Sequence, residues 1–498
     1  MQHATELISI IALGLVCAFI GGMLAQRLRL PPLVGYLVAG IAIGPFTPGF
    51  VGNPALASQL AELGVILLMF GVGLHFSIGD LLAVRTIALP GAIVQIAVAT
   101  AMGAGLAWGY GWGAGAGLVF GLALSVASTV VLLRALEGRG LLDTDKGRIA
   151  VGWLIVEDLA MVVALVLLPA LAPSLGGEAA GMVGHHVASD HGLWVTLGLT
   201  LAKVGVFIAV MLIGGRRIVP YLLALAARTG SRELFTLAVL ASAVGIERTV
   251  EQEPTQLVAL GAFFAGMVLA ESDLSHQAAA DSLPLQDAFA VLFFVSVGML
   301  FDPGIVLREP LSILGVVGVI VLGKSVAAIA IVLAFGHPVG TALTIAASLA
   351  QIGEFSFILA GLGISLKGLP KEGRDLILGG ALLSITLNPL FFVLANRVSR
   401  WLGERPELRR RLERRAAAPL PVRAAAPEMR GHAVIIGYGR VGSAIGKALQ
   451  DWNLPFVVVE RDRRRVEELR TQGVPAVFGD ATAPGILEAA DIASARLV

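Results

Sequence analysis

Residues 152 to 163 read GWLIVEDLAMVV, and two adjacent carboxylic acids, Glu157 and Asp158, stand there with apolar residues for a helical turn or more on either side. An ionised acid at the centre of a bilayer costs roughly 2.5 to 3.5 kcal/mol on insertion scales, so it goes with an aqueous cavity, a partner or a task. Burial opposes ionisation, so a proton and a cation compete for the same oxygens, and one carboxylate can carry each in turn. Adjacent side chains point about 100° apart around a helix, which predicts that one acid faces a cavity and the other a neighbouring helix. Lys324, in GVVGVIVLGKSVAAIAIVLAF, is the natural counter-charge and is expected to pair with Asp158 when no cation is bound. Ser128 and Thr129 in SVASTV, with Gln351 and Glu354 in SLAQIGEF, supply further acceptor oxygens. Oxygen donors of this kind suit hard alkali cations.

The elements that must position these groups are membrane helices. Of 498 residues 56% are hydrophobic and 14% charged, with a mean hydropathy of +0.85, which excludes a soluble globule and implies a polytopic α-helical membrane protein. Stretches of roughly 17 to 25 apolar residues recur up to residue 402 and predict about thirteen spans, centred near residues 16, 38, 66, 98, 125, 160, 204, 240, 262, 292, 322, 352 and 388. The first, Leu7 to Ala25, has no basic residues before it and reads as a retained helix; Cys17 inside it is the single cysteine and reads as packing. The runs SVAS at Ser125 to Ser128 and SLAQ at Ser348 to Gln351 match faintly, each placing polar residues among small ones in mid-span. Such matched interruptions are the mark of inverted repeats with helices broken at the midplane. Arg27, Arg29, Arg85, Arg139, Lys146, Arg148, Arg216, Arg217, Arg228, Arg232, Arg397 and Arg400 fall on one side, against Arg248, Arg308 and the exceptional Lys367, Lys371 and Arg374 on the other. That bias predicts an external N-terminus and a cytoplasmic C-terminus.

Residues 403–430 change from Arg-rich to Ala/Pro-rich, the composition of a juxtamembrane helix running into a linker. Residues 431–498 begin with a strand, AVII, that turns through Gly437, Gly439, Arg440 and Gly442 of GYGRVG into a helix. A second strand, FVVVE, ends in Glu460 at the distance where an acid bonds the ribose of a dinucleotide, and a third leads to Asp480 and Thr482 in GDAT. This is a partial α/β Rossmann-like domain, ending at ASARLV before a second half is complete, as in a truncated chain. Other polar residues take plainer readings. His185, His186 and His191 with Asp190 read as a solvated loop, Glu62 and His75 as interfacial, and Asn388-Pro389 as a helix kink; Lys203 has no assigned role.

The motifs PPLVGYLVAGIAIGP, ELGVILLMFGVGLHF, STVVLLRAL, VEDLA, LFFVSVGM, QIGEFSF, GYGRVG and GDAT, in that order along nearly the whole chain, resemble the Kef-type potassium/proton antiporters, and within them the YbaL-like branch. The resemblance implies a sodium/proton-antiporter-like fold and a homodimer in a bacterial inner membrane, with a panel domain and a mobile core. It also implies Asp158 as the carrier of ion and proton, Glu157 as a tuning or second titrating group, crossed broken helices at Ser128-Thr129 and Gln351-Glu354, and Lys324 as the basic partner. The transported ion would be K+ or else Na+. The C-terminal domain resembles the RCK (TrkA-N) fold, which implies NAD(H), AMP or another adenine nucleotide. Glutathione-gated relatives carry an acidic loop approximately HALESDIEP; the corresponding HQAAADSLP keeps His276 and Asp281 but lacks both glutamates, which argues against gating by glutathione. An RCK-gated potassium channel is the alternative, opposed by the lack of a TVGYG-like filter, and a dehydrogenase lacks an acid/base pair near the glycines. Nothing points to nucleic acid.

Overall fold

The computed structural model describes residues 2–47, 54–74, 78–142, 144–176, 216–245, 256–270, 275–405, 431–460, 463–479 and 486–498, with a few isolated positions between them. The chain divides into two compact units, Met1–Arg415 and Ala416–Val498.

In the first unit the described elements are helices, as the hydrocarbon interior demands, because a helix satisfies its backbone polar groups within itself. They are α1 (Gln2–Arg27), α2 (Pro32–Ile43), α3 (Pro54–Leu74), α4 (Ile78–Gly109), α5 (Ala114–Ser125), α6 (Thr129–Glu137), α7 (Asp145–Leu171), α8 (Arg216–Arg228), α9 (Arg232–Gly245), α10 (Gln256–Ala270) and α11 (Ser275–Met299). After the short α12 (Ile305–Arg308) come α13 (Pro310–Ala334), α14 (Val339–Leu349), α15 (Glu354–Ser365) and α16 (Lys371–Gly403). Ile8–Arg27, Val84–Gly109, Ala114–Glu137, Asp145–Pro169, Pro310–Ala334 and Lys371–Gly403 are long and apolar enough to cross a bilayer, and α14 with α15 form a bent pair at 45°. Shorter apolar helices occupy Pro32–Ile43, Gln59–Leu74, Gly261–Ala270 and Pro284–Met299. The expected span near residue 204 lies outside the described residues, as do His75, His185, His186, Asp190, His191 and Lys203.

The helices pack as two groups. Helices α1, α2, α3, α10 and α11 contact one another, while α4, α5, α7 and α13 to α16 form the other set. Within the first group α2 and α11 approach backbone to backbone: a Cβ on Gly40 would lie 2.0 Å from the Val295 carbonyl oxygen, and one on Gly298 2.2 Å from that of Leu37. Small residues let membrane helices gain dispersion contacts where lipid supplies no hydrophobic drive. The stretch HQAAADSLP, expected as a loop, is helical from Ser275 onward and opens α11; its run of alanines favours the helix. The backbones of His276 and Asp281 therefore lie on that helix.

The second unit holds three parallel strands, β1 (Ala433–Ile436), β2 (Phe456–Glu460) and β3 (Ala476–Phe478), in the order β1-β2-β3. Ala433 pairs with Phe456 and Val458 with Ala476, and Leu497 bridges to Ala433 in parallel. Helices α17 (Arg440–Asp451) and α18 (Arg463–Thr471) make the crossovers and α19 (Ile486–Ala489) follows β3. The first four residues of β2, FVVV, are buried, as expected of a parallel strand covered on both faces.

The α2–α11 contact gives a direct test. Gly40→Ala forces a methyl group into backbone and is expected to cost about 1 to 3 kcal/mol, lowering the thermal unfolding midpoint of the purified protein. Gly105→Ala, where nothing lies within 4 Å, is the control and should leave the midpoint unchanged or raise it.

Candidate functional site

Two helices of the second group stop in mid-membrane and their breaks meet beside α7. Between α5 and α6 the backbone is extended at Val126 (ψ 136°) and Ser128 (ψ 125°), so groups that a continuous helix would use internally are free. Glu157 and Asp158 divide this break between them: Ala127 N–H donates to Glu157 Oε2 at 2.9 Å and Thr129 Oγ1 donates to Asp158 Oδ2 at 3.0 Å. Both acids are buried. The expectation that one would face a neighbouring helix is thus revised. An extended segment spreads successive groups over about 3.3 Å per residue, which lets two side chains 100° apart both reach it.

The second break lies between α14 and α15. Gln351 is its centre: Ser128 N–H donates to Gln351 Oε1 at 2.9 Å, and Gln351 Nε2 donates to the carbonyls of Ser128 at 3.1 Å and Ser348 at 3.3 Å. Glu354 opens α15, and its Oε2 accepts from Ser128 Oγ at 2.9 Å; the same hydroxyl accepts from Val131 N–H and caps α6. The two breaks touch because residue 353 is glycine. A Cβ there would lie 2.2 Å from that of Ser128. Asn388 donates to the Ala347 carbonyl at 2.9 Å and serves the end of α14; Pro389 beside it lies inside α16, which runs from Lys371 to Gly403.

Lys324 is fully buried and donates to the Gln351 carbonyl at 3.2 Å. It takes this carbonyl and does not pair with Asp158 in this structure. The reason is local. Gln351 follows the C-terminal end of α14, where unsatisfied carbonyls and the negative end of the helix dipole attract an ammonium.

The seven residues singled out from sequence, Ser128, Thr129, Glu157, Asp158, Lys324, Gln351 and Glu354, thus converge on one crossing. Three of them are incompletely satisfied. Glu157 Oε1, Asp158 Oδ1 and Glu354 Oε1 are buried without a hydrogen-bond partner among the described residues, and so is Ser356 Oγ. A buried polar atom left unpaired costs about 1 to 3 kcal/mol, and such atoms call for a functional account; carboxylate and hydroxyl oxygens together are the donor set of an alkali cation. Sequence reasoning missed Ser356 and Gly353, although both stand in the QIGEFSF run. A cavity of about 470 Å³ lies between α3 and α11 on one side and α15 and α16 on the other. Its walls include Ile66, Phe293 and Phe357, with Glu62 and Arg374 as its charged lining, so Glu62 belongs to this cavity.

In the second unit Gly437 has φ +84°, and a Cβ on Gly442 would lie 2.0 Å from the Gly437 carbonyl oxygen. The glycines therefore permit a tight turn and close strand-to-helix packing, with nothing within 4 Å of where side chains at 437 or 439 would project. Arg440 begins α17, and Tyr438 N–H donates to Glu460 Oε2 at 2.6 Å. Asp480 and Thr482 lie outside the described residues. An open, glycine-lined turn at a helix N-terminus fits the pyrophosphate of a dinucleotide.

A helical membrane unit in which two broken helices cross at buried carboxylates, joined to a chain segment of Rossmann type, belongs to the class of ion-coupled transporters. Residues 15–394 match the family described as sodium/hydrogen exchanger, transmembrane, and residues 433–498 match the TrkA-N domain. The chain is 55% identical over 501 residues to the Escherichia coli (strain K12) protein named "Putative cation/proton antiporter YbaL", covering 100% of this chain and 87% of that one. It is 30% identical over 459 residues to the Arabidopsis thaliana "K(+) efflux antiporter 2, chloroplastic", covering 92% of this chain and 37% of that one. The sodium proton antiporter MjNhaP1 of Methanocaldococcus jannaschii shares the fold at a TM-score of 0.53 and 16% identity, over 79% of this chain and 99% of that one. The chain belongs to the sodium/hydrogen exchanger family, whose members are transporters and not enzymes.

The crossing itself can be tested. Gly353→Ala is expected to push the breaks apart and lower cation-dependent proton flux in proteoliposomes at least about tenfold, the effect of some 1.4 kcal/mol. Flux equal to that of the unmodified protein would show that the close approach of Gly353 to Ser128 is dispensable.

Proposed function

We propose that this chain is a secondary active antiporter that exchanges cytoplasmic K+, or in its place Na+, for external protons across a bacterial inner membrane. The observation that carries the reading is the set of three buried carboxylates at the crossing, each with one oxygen bonded and one left over. Such oxygens accept either a proton or a cation, and both cannot occupy them at once. Asp158 is the carrier: Thr129 orients one oxygen and leaves the other open to the exchanged species. Glu157, the adjacent acid held on the Ala127 amide, tunes the charge of the site, and Lys324 on the Gln351 carbonyl is the basic partner. The relatives named as K(+) efflux antiporters support K+ as the cation.

The Lys and Arg bias of the loops supports an external N-terminus and a cytoplasmic C-terminus. The chain would work as a homodimer, residues 1–402 carrying exchange, 403–430 forming a tether and 431–498 a regulatory domain. NAD(H) or another adenine nucleotide would sit on Gly437, Gly439 and Gly442, with Arg440 and Glu460 beside it; when bound it supplies a regulatory signal, not a reaction.

Two measurements follow. Asp158→Asn is expected to abolish proton flux driven by K+, Na+ or Li+ in proteoliposomes, and full exchange in that variant would remove Asp158 from the mechanism. Gly442→Ala, with its methyl group against the Gly437 carbonyl, is expected to weaken NADH or AMP binding to the purified protein at least about tenfold by calorimetry; equal affinity in variant and parent would place the nucleotide elsewhere.

A further inference from the structure

The residues at the crossing are not equivalent in how their hydrogen-bonding capacity is used. Each carboxyl group keeps a free oxygen. Gln351 does not follow that pattern. Its amide oxygen accepts the Ser128 N–H, and its amide nitrogen has two hydrogens, directed to the carbonyls of Ser128 and Ser348. A side-chain carboxamide has two donors and one acceptor oxygen, so both donors are committed and the oxygen is engaged. The pairing with Ser128 is two-point, N–H and C=O of one residue against C=O and N–H of one amide, as between two strands of a sheet. It bridges 223 residues of sequence. The main-chain carbonyl of Gln351 in turn accepts from Lys324, so the same residue ties α13 to the break.

We propose, resting on the reading of this crossing as the transport site, that Gln351 is a positioning residue that clasps the two breaks in register and is not itself a ligand of the transported cation. Two things in the structure favour a clasp. Its acceptor oxygen takes the Ser128 N–H, a backbone donor that the break leaves without a helical partner, and an unsatisfied N–H at membrane depth is costly; its amide nitrogen adds a second bond to the Ser128 carbonyl, which also accepts from Leu132 N–H at 3.1 Å. The neighbouring Gly353 gives the clasp no freedom to slip, because Ser128 already lies against its Cα. Held this way, Ser128 presents its hydroxyl to Glu354 and Thr129 follows toward Asp158. The clasp thereby sets the spacing between the free oxygens of Asp158 and Glu354, which come from different helices.

The test reads the Ser128 amide proton, which a clasp protects and a cation ligand does not. Hydrogen exchange is followed by mass spectrometry on the purified full chain, in peptides spanning residues 124–132. In Gln351→Met, which keeps length and loses every side-chain hydrogen bond, exchange at Ser128 is expected to rise at least about tenfold while α4 and the centre of α7 keep their protection. Unchanged exchange in a folded Gln351→Met protein overturns the proposal. The unmodified protein gives a second arm that needs no variant: protection at Ser128 is expected to be equal in K+ and in choline, and a fall on adding K+, as the amide turns to the ion, overturns the proposal. In transport assays Gln351→Glu, which loses both donors, is expected to lower the maximal rate at least about tenfold for K+, Na+ and Li+ alike. A Gln351→Glu protein that keeps its maximal rate and changes only KM, or reorders the cations, marks Gln351 as a ligand. Exchange by the unmodified chain is scored separately, so loss of the antiport reading and loss of the clasp are distinguishable.

Discussion

A helix that stops at the middle of a membrane leaves backbone N–H and C=O groups where no water can satisfy them. The structure meets that demand by making two such breaks satisfy each other. The N–H of Ser128 goes to Gln351, the N–H of Ala127 goes to Glu157, and the carbonyl of Ala347 is taken by Asn388. Lys324 completes the set on the Gln351 carbonyl. Glu157, Gln351, Asn388 and Lys324 each serve a backbone group here, which is why such polar residues are tolerated in so apolar a unit.

The same demand explains what is left over. A carboxylate has more acceptor capacity than a single donor can fill, so the acids that serve the breaks retain oxygens facing inward. Glu157 and Asp158 began as neighbours with one chemistry and end with different partners. Glu157 holds the Ala127 amide, whereas Asp158 holds only the Thr129 hydroxyl. An acid bound to a backbone amide is held in place, whereas one bound to a rotatable hydroxyl is free to change its partner. That contrast supports the proposal that Asp158 is the carrier.

Glycines determine how closely the parts approach. Gly353 admits Ser128 at the crossing, and Gly40 with Gly298 lets α2 meet α11. In the second unit Gly442 packs against Gly437, whose positive φ makes the turn that a nucleotide phosphate requires. A methyl group at any of the first three would strike backbone or a Cβ rather than a flexible side-chain end, so these contacts cannot be relieved by a rotamer change.

Much of this is legible in the residue order. Hydropathy requires membrane helices because lipid offers the backbone no partners, and two acids, a lysine and two polar runs in mid-span mark the site because each is costly there without a reason. The strand-glycine-helix pattern after residue 431 announces a Rossmann-type domain because only glycine fits that turn. Sequence could not show the pairing of those groups. Lys324 was expected on Asp158 and lies on Gln351, HQAAADSLP was expected as a loop and is the start of α11, and Asn388 bonds the end of α14. Residue type and spacing determine which groups must be satisfied. The tertiary structure alone decides which partner each one takes, because the donors and acceptors of the two breaks stand more than two hundred residues apart along the chain and meet only when the helices cross.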